Sequence, residues 1–148
     1  MAYWLKALGT STDRMTRYWV RDSPEDLRNI GFPRNPSVRV GDPLVYYAFG
    51  YGKVVGLVEV FMPPSLDNRE APWSYRCDVR PRIAIADIER GVELDELNVP
   101  GERDLRKSIR QQSHIRLSAE EYDRAFAALR AGLRPDSGDF IDPRLLRT

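Results

Sequence analysis

The chain has 148 residues, 42% hydrophobic and 30% charged, with a formal charge of +1, which is the composition of an ordinary globular domain with room for a real core. No apolar run approaches the ~20 residues that cross a bilayer, and Met1-Ala2-Tyr3-Trp4 lacks a basic region and a cleavable apolar stretch, so neither a membrane nor export is expected. A single cysteine, Cys77, excludes an internal disulfide and fits a reducing cytoplasm.

Tyr3 to Leu8 reads as a first strand, broken by the small and hydroxyl residues Gly9-Thr10-Ser11-Thr12-Asp13. Asp13 to Trp19 is open between one or two helical turns and an irregular connection. Ser23-Pro24-Glu25-Asp26 carries a helix-start signal, serine as cap and proline at the first position, and Gly31 reads as that helix's stop. The stretch from Val38 to Met62 dominates the chain. Its apolar run Leu44 to Phe49, the break Gly50-Tyr51-Gly52-Lys53 and a second run from Val54 predict a β-hairpin. Both arms are nearly continuous in apolar residues, so the strands are covered on both faces or line the inside of a curled sheet. Gly56 within the second arm marks a bulge or a close approach.

Pro63 to Pro72 reads as a loop, and Arg76-Cys77-Asp78-Val79-Arg80 alternates as a strand does. Pro81 then confines that strand to an edge or a bulge. A single helical turn is expected from Ala86 to Gly91, a short helix with Leu105 and Ile109 on one face between Glu102 and Gln112, and a last strand at Ser113 to Leu117. Ser118-Ala119-Glu120-Glu121 is a capping box that opens a helix over 119–131, whose apolar stripe is Tyr122, Ala125, Phe126 and Leu129. The expected organisation is one domain over 1–133 and an extended tail over 134–148. The elements sum to a mixed α+β fold, a curled sheet or open barrel of five or six strands with helices packed around it.

Much familiar chemistry is missing. Gly50-Tyr51-Gly52 lies between strands, where no helix start can hold a phosphate. There is no phosphate-binding glycine-lysine loop, no nucleophile elbow and no zinc spacing, and one Cys with one His leaves too few ligands for a structural metal. A Cys77–His114 dyad exists on paper, but Cys77 lies in a strand of buried character and reads as an inert core thiol. No metal and no cofactor are expected.

Two features remain. Trp19, Trp73 and Tyr75 lie outside the core stripes. Each could plug a gap under a loop, or together they could box a planar group. The basic residues are 20 Arg against 3 Lys, a bias that a GC-rich genome produces without functional meaning. Arg14, Arg17 and Arg21 surround the first tryptophan, and Arg103, Arg106, Lys107 and Arg110 follow later. Such runs are usually solvated faces; beside stacking aromatics they also fit single-strand or flipped-base recognition.

The order of these pieces resembles the EVE-domain family, and more distantly the YTH domains, within the PUA-like superfamily. The resemblance spans Tyr3 to Leu129. It rests on Tyr3-Trp4-Leu5-Lys6 with its Thr-Ser loop, on Trp19, on Val40-Gly41-Asp42 with the arm Val55 to Val60, on Trp73 before Cys77-Asp78-Val79-Arg80, and on Ser113 to Tyr122. It implies a curled sheet whose pocket takes a modified nucleobase. Trp19 and Trp73 would be stacking walls, Thr10 and Ser11 would bond the base edge, Lys6 would lie near the floor, and Phe49 or Tyr75 would close the site. Where the family has serine-glutamate-proline after the lysine, this chain has Ala7-Leu8-Gly9-Thr10.

The leading expectation is a non-enzymatic reader of a modified base in DNA or RNA, or of a nucleoside. It would be monomeric, with Arg14, Arg17, Arg106, Lys107 and Arg110 on phosphates. The alternative is a small PUA-like, ASCH-type hydrolase of modified nucleosides, with Lys6, Thr10 and Glu59 as its polar groups and, as its mark, a lysine and a carboxylate sharing one cavity. A protein-interaction module using exposed aromatics is a third reading.

Overall fold

The computed structural model describes residues 1–67 and 74–147. Its centre is a mixed sheet in the order β2-β6-β4-β3-β1-β8. The strands are β1 (Tyr3–Leu8), β2 (Asn29–Phe32), β3 (Pro43–Ala48), β4 (Lys53–Val60), β6 (Tyr75–Ala84) and β8 (His114–Leu117). Short strands β5 (Ser65–Leu66) and β9 (Phe140–Ile141) pair with β6, and β7 (Val92–Glu93) pairs with β4. Only β1 and β3 run parallel, so the chain between them must cross over. That crossover carries α1 (Trp19–Asp22), a 3-10 turn at Pro24–Leu27, and β2. The sheet curls into a half-barrel, the PUA-like architecture expected from the sequence.

The continuous apolar arms of the hairpin follow from cores on both sides of the sheet. Leu44, Tyr46 and Ala48 of β3 enter one core with Trp4, Leu8, Val55, Val58, Trp19 and Phe32. Val45 and Tyr47 face the other, with Leu5, Ala7, Val54 and Leu57. The second core is covered by α2 (Leu105–Ile109) and α3 (Ala119–Gly132). Leu105, Ile109, Ala125 and Leu129 are buried there, with Tyr122 and Phe126 packed at its edge. The capping box at the start of α3 is present: Ser118 Oγ accepts from Glu121 N, and Glu121 accepts from Ser118 N.

The hairpin pairs Tyr46 with Gly56 but Tyr47 with Val54, so Val55 is the extra residue of a bulge next to the flagged glycine. A second shift between Leu57 and Val58 skips Arg82, beside Pro81, which satisfies the proline's exclusion from a regular ladder. A Cβ on Gly56 would lie 3.1 Å from Ile83 O and 3.5 Å from the Trp19 ring. The glycine makes room for the Ile83 carbonyl, and the indole would meet a Cβ at ordinary contact.

Three expectations need correction. Ser23 does not cap a two-turn helix: its side chain makes no cap bond, and only a 3-10 turn follows. Gly31 does not stop that helix but lies inside β2, opposite Arg76. Pairing with β6, which buries Ile30 and Phe32, outweighs the local start signal. The segment after α3 is not simply extended either. Two 3-10 turns, Pro135–Ser137 and Pro143–Arg147, flank β9, which pairs Ile141 with Ile83. Asp139 anchors it, accepting from Ala86 N, Arg134 N and both Arg90 terminal nitrogens.

Candidate functional site

The end of β1, the loop after it, α1 and the turn after α1 surround a cavity of about 310 Å3. Its floor is the first core. Its polar lining includes Lys6, Thr10, Arg14, Glu25, Asp26 and Arg76.

β1 alternates, and Lys6 points to the same face as Trp4 and Leu8, into the first core. The side chain is 1% exposed and its Nζ donates to Ala7 O at 2.9 Å, 5.0 Å from the centre of the Phe32 ring. Burial pushes its ammonium down to about 7, against the pull of Asp26, with Arg76 lowering it further. Asp26 moves toward the same range from the other side. Burial, helped by Glu25, pushes its carboxyl up to about 6, while Arg76 and Lys6 restrain it. The backbone of Asp26 is fixed: its carbonyl accepts from Tyr46 Oη at 2.6 Å and its N–H donates to Ser23 O.

Trp19 lines the cavity, yet it is fully buried, with Nε1 donating to Ile85 O at 2.8 Å and its ring edge-on to Tyr46. Thr10 sits at the mouth and closes its own loop, since Thr10 Oγ1 accepts from Asp13 N and Thr10 N donates to Asp13 O. Arg14 lies across the hairpin turn so closely that a Cβ on Gly50 would stand 2.7 Å from its Nε. Arg106 approaches Gly52 of the same turn, at 2.8 Å from such a Cβ, while pairing with Asp95.

The cavity thus gathers Lys6, Thr10, Arg14 and Trp19. Ser11 is exposed on the loop, Phe49 is half-buried, and Tyr75 packs against the first core; none of the three lines the cavity. Trp73, the second expected wall, lies outside the described residues. Arg17 is committed to Asp87 and Glu89, and Lys107 and Arg110 are exposed on or just after α2. Asp26 and Arg76 escaped the sequence reading. Asp26 looked like a first-turn helix acid and Arg76 like the outward residue of a strand. Only the pairing of β2 with β6 brings both to the cavity.

Other candidates resolve simply. The Cys77 thiol donates to Met62 O at 3.3 Å, and burial pushes it up to about 11. His114 is held by Ser113 Oγ between the Trp4 and Phe32 rings, and burial, then Lys6, push it down to about 4. Neither supplies a thiolate–imidazolium pair near neutrality. Glu59 does not share a cavity with Lys6. It lines a separate hollow of about 200 Å3 and is paired with Arg82 at 3.0 Å. Among the described residues no cluster of His, Cys, Asp and Glu could hold a metal, and no helix is long and apolar enough to cross a membrane.

No protein-family model matches the sequence, and no curated protein does. Solved structures do match. The Rpa0253 protein of Rhodopseudomonas palustris is 18% identical, with a TM-score of 0.61 over 90% of this chain and 97% of its own. Human THYN1, solved in complex with 5-methylcytosine-containing DNA, is 14% identical, with a TM-score of 0.58 over 90% and 99%. The DUF55 domain of human thymocyte nuclear protein 1 gives 15% identity and 0.55 over 82% and 94%. The chain has the PUA-like fold of the EVE, or DUF55, domain.

Proposed function

We propose, on the premise of that EVE-type fold, that this chain is a non-enzymatic nucleic-acid-binding module that takes one modified base into the cavity beside β1. The observation that carries the reading is the cavity itself. Its volume, about 310 Å3, falls at the lower end of small-ligand pockets. Its floor is apolar and its polar groups converge from β1, the loop after it, the 3-10 turn and β6. The likeness to a protein solved with 5-methylcytosine-containing DNA supports the same class of partner.

In this reading Trp19, buried beneath the cavity, supports its floor, Thr10 bonds the base edge at the mouth, and Lys6 sets the charge near the floor. Arg14 takes the first phosphate, and Arg106, Lys107 and Arg110 extend the basic track past the hairpin turn. Arg17, already matched by two acids, contributes less. The mouth is charged, which speaks for a charged partner over an apolar protein surface. The test is binding of oligonucleotides that differ only in one modified cytosine or adenine. Arg14→Glu should weaken all of them alike, because a phosphate contact positions without reading sequence.

One observation favours a second reading, the nucleoside hydrolase. Lys6 shares a cavity with a carboxylate, Asp26, and both titrate near neutrality. Release of acetate from N4-acetylcytidine, abolished by Lys6→Met, would establish it. No release under conditions where modified strands bind would eliminate it.

A further inference from the structure

Among the described residues the buried and half-buried carboxylates of the core are satisfied, with one exception in the cavity. Asp42 accepts from Ala2 N, Trp4 Nε1 and Arg39 N. Glu121 accepts from Ser118 N and Arg103, Asp139 from two backbone N–H groups and Arg90, and Asp142 from Arg144. Asp26 is half-buried and lines the cavity, yet among the described residues its carboxyl makes no hydrogen bond or ion pair. A half-buried carboxyl that faces an open cavity without a protein partner is free to accept a ligand's donors. Its position is firm, because Tyr46 Oη and Ser23 O fix its backbone and Leu27 beside it is buried.

We propose that the Asp26 carboxyl is the specificity group of the cavity and forms a two-hydrogen-bond pair with the amino edge of a cytosine-type base, sharing one proton with it. This rests on the base-reading function above. One carboxyl oxygen accepts from the exocyclic N4 amine, and the other, carrying the proton, donates to ring N3. Cytosine presents that donor beside an acceptor, and a 5-methyl group leaves the pattern intact. Thymine and uracil present a carbonyl where the amine should be, which sets oxygen against oxygen. Guanine presents two donors, which an ionised carboxylate would accept and a protonated one would not.

The surroundings favour the proton-sharing form. Burial and Glu25, on its own turn, favour the protonated acid, while Arg76 from β6 and Lys6 from β1 oppose it. Asp13 and Arg14 face the cavity from the loop after β1, and Tyr46 contributes an un-ionised phenol. A carboxyl that titrates at about 6 takes up the shared proton readily near neutrality.

The test is fluorescence anisotropy of a single-stranded oligonucleotide carrying one 5-methylcytosine, thymine or guanine at the same position, from pH 5.5 to 8.5. Wild type should prefer the methylcytosine strand, and its affinity should rise as pH falls, by up to about tenfold per pH unit above the carboxyl's own range. Asp26→Asn offers the same donor and acceptor with no proton to share. It should keep the preference and lose the pH dependence. A pH dependence that survives in Asp26→Asn belongs to another group and overturns the assignment. Equal or tighter binding of the thymine strand at any pH, or of the guanine strand at pH 5.5, where the carboxyl holds its proton, also overturns it. If no strand binds at any pH, the base-reading function fails and takes this assignment with it. If strands bind without base preference, only the assignment fails.

Discussion

Lys6 is buried where a lysine is costly, in the first core beside the Phe32 ring. Its ammonium loses its proton at about 7 in the folded chain against 10.5 ordinarily. Between those values the unfolded chain binds the extra proton, so stability rises with pH across that window. Urea titrations at pH 7 and pH 10 should show the increase in wild type and a flat response in Lys6→Met. Equal slopes would remove the buried ammonium from the account. At acid pH two groups act in opposite senses. His114, lowered from 6.5 to about 4, makes stability fall on acidification through that range, whereas Asp26, raised from 3.8 to about 6, makes it rise. Trp19 is a warning about test variants. It is fully buried and bonded to Ile85 O, so Trp19→Ala should cost about 3–5 kcal/mol of stability whatever it does to binding. Denaturant midpoints will separate that loss of fold from a loss of contact.

At the level of elements, the hairpin is a scaffold whose irregularities place the site. The Val55 bulge and Gly56 bring β4 close to the Ile83 carbonyl and beside the Trp19 indole, which lies under the cavity. Gly56→Ala should destabilise by about 1–3 kcal/mol, because its methyl must push back the Ile83 carbonyl. Wild-type thermal stability in that variant would show the fit is looser than the geometry states. The opposite flank of the sheet depends on the α3 cap, and Ser118→Ala should cost about 1 kcal/mol. These elements were legible in the sequence because their signals are local: alternation in β6, two apolar arms around glycines, Ser118 three residues before Glu121. β2 was not legible. Asn29–Phe32 follows an acidic proline turn and contains a glycine, and only hydrogen bonds to β6, nearly fifty residues on, make it a strand. Asp26 was missed for the same reason, since nothing local separates a cavity carboxylate from a helix-start acid.

At the level of the whole molecule, the segment that follows α3 is tied to the central sheet through β6. β9 pairs with β6, and Asp139 gathers Arg90, Ala86 and Arg134 from three parts of the chain. Removal of residues 134–148 should therefore lower the melting temperature by several degrees or more, although the segment lies far from the cavity in sequence. An unchanged melting curve would make it a dispensable tail. The fold class could be read from the sequence because the order of strands, loops and caps is local information, although identity to solved structures of the same fold is only 14–18%. The site was legible only in part. Lys6, Thr10, Arg14 and Trp19 converge as their spacing around the first loop allowed, whereas Asp26 and Arg76 arrive through long-range pairing.

The central claim is that the cavity beside β1 receives one modified base from a nucleic acid strand. The most direct measurement is the affinity of wild-type protein for two oligonucleotides identical except for one 5-methylcytosine, taken at about 50 and 200 mM salt. The account predicts tighter binding of the methylated strand at both, and affinity for each falling with salt as arginine–phosphate contacts are screened. Equal affinity for the two strands, with no response to salt, would contradict it.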